Sequence, residues 1–172
     1  MFLKKIKSFL LKNNLKKRLD NVKEESLNSP VFRVGLVVDE SKFLETDALK
    51  REIIFNGITE DNIKIIAYRD SLKDKEVYSH PTFSLQKLNL KCEFTQPEIK
   101  EFISDEFDLL INYYNEENPI LLLLTHSSKA KFKAGFSAVD KRLNHLLINI
   151  ALEDYKGFTH ELFRYLKILN KI

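Results

Sequence analysis

The fold of this chain is decided by two apolar stretches, Phe32-Arg33-Val34-Gly35-Leu36-Val37-Val38 and Asn62-Ile63-Lys64-Ile65-Ile66-Ala67-Tyr68. Each is a short apolar run rich in β-branched residues, which is typical of a buried strand. The residues between them, 42–56, carry apolar side chains at helical spacing, and Gly57 marks a helix end. A strand–helix–strand unit of this kind predicts parallel strands joined by a right-handed crossover.

The helix of this unit begins after Asp39-Glu40-Ser41. Asp39 and Ser41 both suit the N-cap position, because short polar side chains accept hydrogen bonds from the first free backbone amides of a helix. The helical spacing predicts a row of side chains that face the core, namely Leu44, Ala48, Leu49 and Ile53.

The same alternation continues towards the C-terminus, whereas residues 69–95 show no clear period. We predict helices over 96–105, 119–127 and 158–168, and strands over 107–112, 131–136 and 145–149. Segment 119–127 also fits a strand, but Pro119 after a polar run favours a helix. On the last helix the inward residues are predicted to be Leu162, Phe163, Leu166 and Leu169. The pattern predicts one Rossmann-like, three-layer α/β domain over 30–172 with a mainly parallel sheet.

Positive charge is concentrated in the first 18 residues, which contain seven cations and no acid. They are Lys4, Lys5, Lys7, Lys12, Lys16, Lys17 and Arg18. This segment carries +7, whereas the whole chain carries +3, so residues 19–172 sum to −4. Apolar residues recur here at spacings of three to five, which predicts a basic amphipathic helix within residues 1–29.

Such a helix has three interpretations, which do not exclude one another. In the first interpretation, its cations neutralise RNA phosphates without sequence preference. Alternatively, they attract anionic lipid headgroups while Phe2, Leu3, Ile6, Phe9 and Leu10 insert into the membrane. In the third interpretation the apolar stripe docks on its own domain or on a partner, and the lysines are the solvated face.

Polar residues at the carboxyl ends of the predicted strands form a candidate ligand pocket, because open parallel sheets bind ligands at that edge. They are Asp39, Ser41, Arg69, Asn112 and Tyr113. Asp39 suits a base or a ribose contact, but equally a helix N-cap. Asn112 and Tyr113 suit a pocket wall or an ordinary loop.

The sequence does not support a phosphate-binding loop, a disulfide, a metal site or a transmembrane span. The four glycines are isolated, so neither a phosphate-binding loop nor a dinucleotide fingerprint is present. Cys92 is the only cysteine, which excludes an internal disulfide and favours a small buried hydrophobe in a cytoplasmic protein. His80, His126, His145 and His160 are too far apart in sequence to predict a metal site or a cofactor. The longest apolar run, 120–124, is far too short for a transmembrane span.

Three motifs carry a resemblance to a known group of proteins: Phe107-Asp108-Leu109-Leu110-Ile111, the segment 128–135, and Tyr165-Leu166-Lys167-Ile168-Leu169. With them the chain resembles small Bacteroidota proteins of unknown activity, which place a basic helix before an α/β domain. Residues 107–136 are also similar to the N-terminal half of heptosyltransferase-type glycosyltransferases. That similarity implies a Rossmann-like fold, but the donor-binding second domain is missing, which argues against an intact sugar transferase.

These observations predict a non-enzymatic accessory protein that binds RNA, above all on the ribosome, through the basic helix. A small-molecule or nucleotide-binding enzyme that uses the candidate pocket is the first alternative. A peripheral membrane protein is the second.

Overall fold

The fold is given by a computed structural model that describes residues 11–13, 15, 29–73, 76–89 and 91–172. The strands are β1 (Val34–Asp39), β2 (Ile63–Tyr68), β3 (Thr82–Phe83), β4 (Leu109–Tyr113), β5 (Phe132–Phe136) and β6 (Leu146–Ile148). The helices are α1 (Thr46–Phe55), α2 (Pro97–Ser104), α3 (Pro119–Ser127) and α4 (Tyr155–Ile168). The predicted α/β class is confirmed, and the helix over 119–127 has the predicted bounds.

The strands form one sheet in the order β3-β2-β1-β4-β5-β6, and every pairing is parallel. This is the strand order of the Rossmann fold. The order reverses between β1 and β4, so a crevice opens there at the carboxyl edge of the sheet. The chain thus has the usual ligand-binding location of an open α/β sheet.

Helices cover the sheet on both sides. On the α1/α4 face, Leu49 and Ile53 pack with Phe158 and Leu162 against alternate strand residues such as Val38. On the α2/α3 face, a second apolar cluster includes the buried side chains Phe102, Phe107, Leu121 and Leu124. The α3 helix is apolar nearly all round, which a helix tolerates only when it is buried on most sides.

The α2/α3 face also holds part of the N-terminal segment. Residues 11–13 and 15 are helical. Leu11 is 0% exposed and Leu15 is 4% exposed, and both belong to the apolar cluster of this face. Lys12 and Asn13 point to the surface. At these two leucines the N-terminal segment packs on its own domain.

The start of α1 differs from the prediction. The backbone amides of Lys42 and Phe43 donate to the carbonyl of Asp39, so the chain makes a turn before the helix begins at Thr46. Phe43 enters the core and lies 4.7 Å from the ring of Tyr113, between centroids. As a result Leu44 is 76% exposed, and its predicted place in the core is wrong.

The predicted inward position of Leu169 is also wrong. The α4 helix ends at Ile168, and Asn170 adopts a left-handed backbone with a φ of 53°. The amide of Lys171 then donates to the carbonyl of Leu166, which closes the helix end. Leu169 lies at this end, 49% exposed.

Residues 69–95 contain short elements that the sequence pattern does not reveal. The strand β3 has only two residues, and a single 3₁₀ turn over Leu85–Lys87 follows it. Leu88 and Phe94 form an antiparallel bridge. Cys92 is buried, as predicted, and belongs to the apolar cluster of the α2/α3 face.

Candidate functional site at the carboxyl edge of the sheet

Asp39 ends β1 beside the point where the strand order reverses, and Ser41 and Asp70 lie next to it. The Ser41 backbone amide donates to Asp39 Oδ1 over 3.0 Å. The Asp70 backbone amide donates to Ser41 Oγ over 2.8 Å, and Tyr68 Oη donates to Asp70 Oδ1 over 2.9 Å. Ser41 therefore links the ends of β1 and β2, and it brings two carboxylates to one edge.

The environment of Asp39 favours the protonated carboxyl. Its pKa is raised to about 6, because burial and then the nearby charge of Asp70 outweigh the lowering effect of the hydrogen bonds from Ser41. A carboxyl with a pKa near 6 gains and loses a proton close to neutral pH. Asp39 thus has the proton affinity that a general base or acid requires.

A second pair of charges lies beside this carboxyl and is satisfied internally. Arg69 donates from Nε and Nη2 to Glu40 Oε2 over 3.1 and 2.9 Å. Glu40 Oε1 accepts a hydrogen bond from the hydroxyl of Thr46, the first residue of α1. In dinucleotide-binding domains the pyrophosphate lies at the N-terminus of the corresponding helix. Here the Glu40 carboxylate, which is paired with Arg69, contacts that helix end instead.

Asn112 lies inside the protein rather than at an open surface. Its side chain donates from Nδ2 to Asn144 Oδ1 over 2.7 Å and accepts at Oδ1 from Thr125 Oγ1 over 2.9 Å. The Tyr114 hydroxyl lies 2.7 Å from Thr125 Oγ1 and extends this buried network. Asn112 thus joins β4 to α3 and to the connection before β6.

Tyr113 points to the opposite face of the sheet, as strand alternation requires. Its hydroxyl donates to the Leu152 carbonyl over 2.5 Å, and its ring packs against Phe43, Phe136 and Phe158. Of the predicted pocket residues, the structure therefore brings Asp39, Ser41 and Arg69 together at the edge. It places Asn112 and Tyr113 in the interior, on two different faces.

A family model for a family of unknown function, DUF6913, matches residues 7–169. The chain belongs to this family. No curated protein and no solved structure matches the chain. The taxonomic resemblance and the similarity of residues 107–136 to heptosyltransferases therefore rest on the sequence motifs alone.

The DUF6913 match includes most of the predicted nucleic-acid-binding cations, because it starts at Lys7. Lys12 lies in the described part of the chain, where it is exposed. The other six cations lie outside the described residues. They are Lys4, Lys5, Lys7, Lys16, Lys17 and Arg18.

In this DUF6913 chain, the sequence does not indicate a role for Glu40, Thr125 or Asn144. Glu40 directly follows Asp39, but its partner Arg69 becomes visible only when the register of β1 against β2 is known. Thr125 and Asn144 are far from Asn112 in sequence, so only the fold brings the three together.

Within the described residues, no helix is both long and apolar enough to cross a membrane.

Proposed function

We propose that this member of the DUF6913 family is a non-enzymatic accessory protein that binds RNA, above all ribosomal RNA, through the cations of its first 18 residues. The concentration of +7 in this segment, against −4 in residues 19–172, is the observation that carries the proposal. Clustered cations bind nucleic acid by releasing counterions from its phosphates, without reading sequence. Because residues 19–172 are net negative, they repel RNA phosphates, which are attracted to the first 18 residues.

The packing of Leu11 and Leu15 supports a segment that is held on its domain with its cations facing outward. These two leucines belong to the apolar cluster of the α2/α3 face. Lys12, between them in sequence, is exposed. This arrangement is the one expected when an apolar stripe holds a helix on its domain and the lysines face outward.

The experiment replaces all seven cations of the segment by Gln and leaves every leucine in place. Deletion of the segment is less informative, because it removes two core residues and destabilises the fold. We expect wild-type affinity for ribosomal RNA to fall with salt, with a log–log slope of about −0.7 per phosphate neutralised on single strands. The septuple variant is expected to lose measurable RNA binding and co-sedimentation with ribosomes.

The chain offers a matched control with the same change of net charge. Seven exposed lysines of the α/β body are replaced by Gln: Lys87, Lys91, Lys100, Lys129, Lys141, Lys156 and Lys167. Retained RNA binding in this control supports the proposal. Equal loss in both variants would show that only net charge matters. Binding of the wild type to anionic vesicles but not to RNA would replace RNA by a membrane surface.

A small-molecule site at the carboxyl edge is a second candidate function, and the raised pKa of Asp39 at the strand-order reversal favours it. The ionised Asp39 and its neighbour Asp70 disfavour anionic ligands, so neutral polar molecules are the class expected. Thermal unfolding is measured with a panel of sugars and nucleosides for the wild type and for Asp39→Asn. Stabilisation of the wild type alone supports this function. If no ligand changes the melting temperature of the wild type, this function is rejected.

A further inference from the structure

A groove of about 430 Å³ lies beside the edge strand β3, and none of its lining residues belongs to the site at the carboxyl edge. Its lining comes from the segment before β3, from β3 itself and from the start of α2: Tyr78, Ser79, His80, Pro81, Thr82, Gln96, Glu98 and Ile99. A volume of this order holds a small organic molecule. Ile99 supplies an apolar side chain, and most of the other lining residues are polar.

Gln96 brings a hydrogen-bond acceptor that is not satisfied within the described part of the chain. Its Nε2 donates to the Thr82 carbonyl over 3.4 Å, which fixes the orientation of the amide. Its Oε1 is buried, and no described donor reaches it. A buried acceptor without a partner lowers stability, so a ligand that donates to Oε1 recovers this cost.

The other polar groups of the groove also favour a donor. His80 Nε2 lies 3.2 Å from Asp47 Oδ1, so in the neutral ring the proton is on Nε2 and Nδ1 is left as an acceptor. Glu98 is exposed, and no described residue forms an ion pair with it. The described lining contains neither lysine nor arginine.

An aromatic ring at the groove already attracts a cation. The guanidinium carbon of Arg69 lies 5.0 Å from the centroid of the Tyr78 ring. Aromatic faces attract ammonium and guanidinium groups in this way. Arg69 therefore occupies the face of Tyr78. The groups of the lining that suit a positively charged donor are the carboxylate of Glu98 and the buried acceptor of Gln96.

We propose that this groove binds a small organic cation, a guanidinium or a primary ammonium group, with Glu98 as its counter-ion and Gln96 Oε1 as its buried acceptor. The cation comes either from a free molecule or from a basic side chain of another protein. The proposal is independent of RNA binding, because it uses none of the cations of the N-terminal segment.

The test is an NMR titration of the ¹⁵N-labelled full chain. n-Butylguanidine probes the free cation, and N-acetylarginine amide, with the same single charge, probes the side chain. N-acetylcitrulline amide is the neutral control of nearly the same shape. We expect the shift changes of the two cations to cluster at residues 78–82 and 96–99, and the neutral control to bind at least about tenfold more weakly. The cation that binds more tightly identifies the source.

Two variants separate the roles of the lining residues. Glu98→Gln, at an exposed position that does not threaten folding, is expected to weaken cation binding about tenfold. Gln96→Leu removes the buried acceptor, and it should weaken binding without loss of stability. Glu153→Gln, exposed in the loop before α4, is the matched control and should change nothing. Equal affinity for arginine and citrulline amides, or unchanged affinity in Glu98→Gln, would overturn the proposal.

Discussion

Asp39 is the residue whose chemistry departs most from that of an ordinary surface carboxylate. Burial first, and the charge of Asp70 after it, raise its pKa from 3.8 to about 6. The folded protein therefore binds a proton more tightly than the unfolded chain does. This group contributes most to stability at acidic pH, and the contribution is lost as pH rises from about 4 to about 6.

Asp39→Asn is therefore expected to raise the free energy of unfolding at pH 7.5 by up to about 3 kcal/mol. Asn keeps an oxygen that accepts from the Ser41 amide but carries no charge. Urea unfolding from pH 4 to pH 8 measures the difference, which should vanish near pH 4.

Asp140→Asn is a control of opposite sign, because Arg142 lowers the pKa of Asp140. That variant should lose stability at pH 7.5, and the loss should disappear in acid. If Asp39→Asn is no more stable than the wild type at pH 7.5, the carboxyl does not lie in the environment described here.

At the scale of the elements, the sequence predicts what depends on local pattern. The runs around Val34 and Ile65 and the proline-opened helix at Pro119 are each specified by their own residues and flanks. The start of α1 is not, because Phe43 is drawn into the core by Tyr113, a contact between distant segments. The two-residue strand β3 is too short to show the alternation of apolar and polar residues by which a strand is predicted.

In the candidate site, too, some positions follow from the local sequence, whereas the contacts between them depend on the fold. Asp39 and Ser41 are predictable, because residues that follow a strand of a parallel sheet lie at its carboxyl edge. The bond between Ser41 and Asp70 requires the register of β1 against β2, and no local pattern contains it. The groove beside β3 is even harder to predict from the sequence. Its walls come from two segments that are separated by more than a dozen residues, and those residues show no clear period.

Packing between elements is tested at Gly135 on β5. A Cβ atom there would lie 2.7 Å from Asn144 Nδ2 and 3.2 Å from Asn112 Cβ, closer than van der Waals contact allows. Gly135→Ala is expected to lower the free energy of unfolding by about 1–3 kcal/mol. Adding Asn144→Ala should recover part of that loss, because it removes the nearest atom. Strict additivity in this double-mutant cycle would contradict the close approach.

For the whole molecule, the central question is whether the basic segment is an independent arm or part of the folded domain. Leu11 is 0% exposed in the apolar cluster of the α2/α3 face. Leu11→Ala is therefore expected to lower the free energy of unfolding of the entire domain by about 2–5 kcal/mol. Leu44→Ala removes the same atoms from a side chain that is 76% exposed and should cost less than about 0.5 kcal/mol.

The same two variants connect stability to the proposed function. If the leucines hold the segment and the cations bind RNA, Leu11→Ala should destabilise the domain and, below its melting temperature, reduce RNA affinity far less than replacement of the seven cations. Urea unfolding and RNA titration in the same buffer measure both quantities. Equal unfolding free energies for Leu11→Ala and Leu44→Ala would show that the segment acts as a separate arm. In that case RNA binding would have to order it, and affinity would be lower by the cost of that ordering.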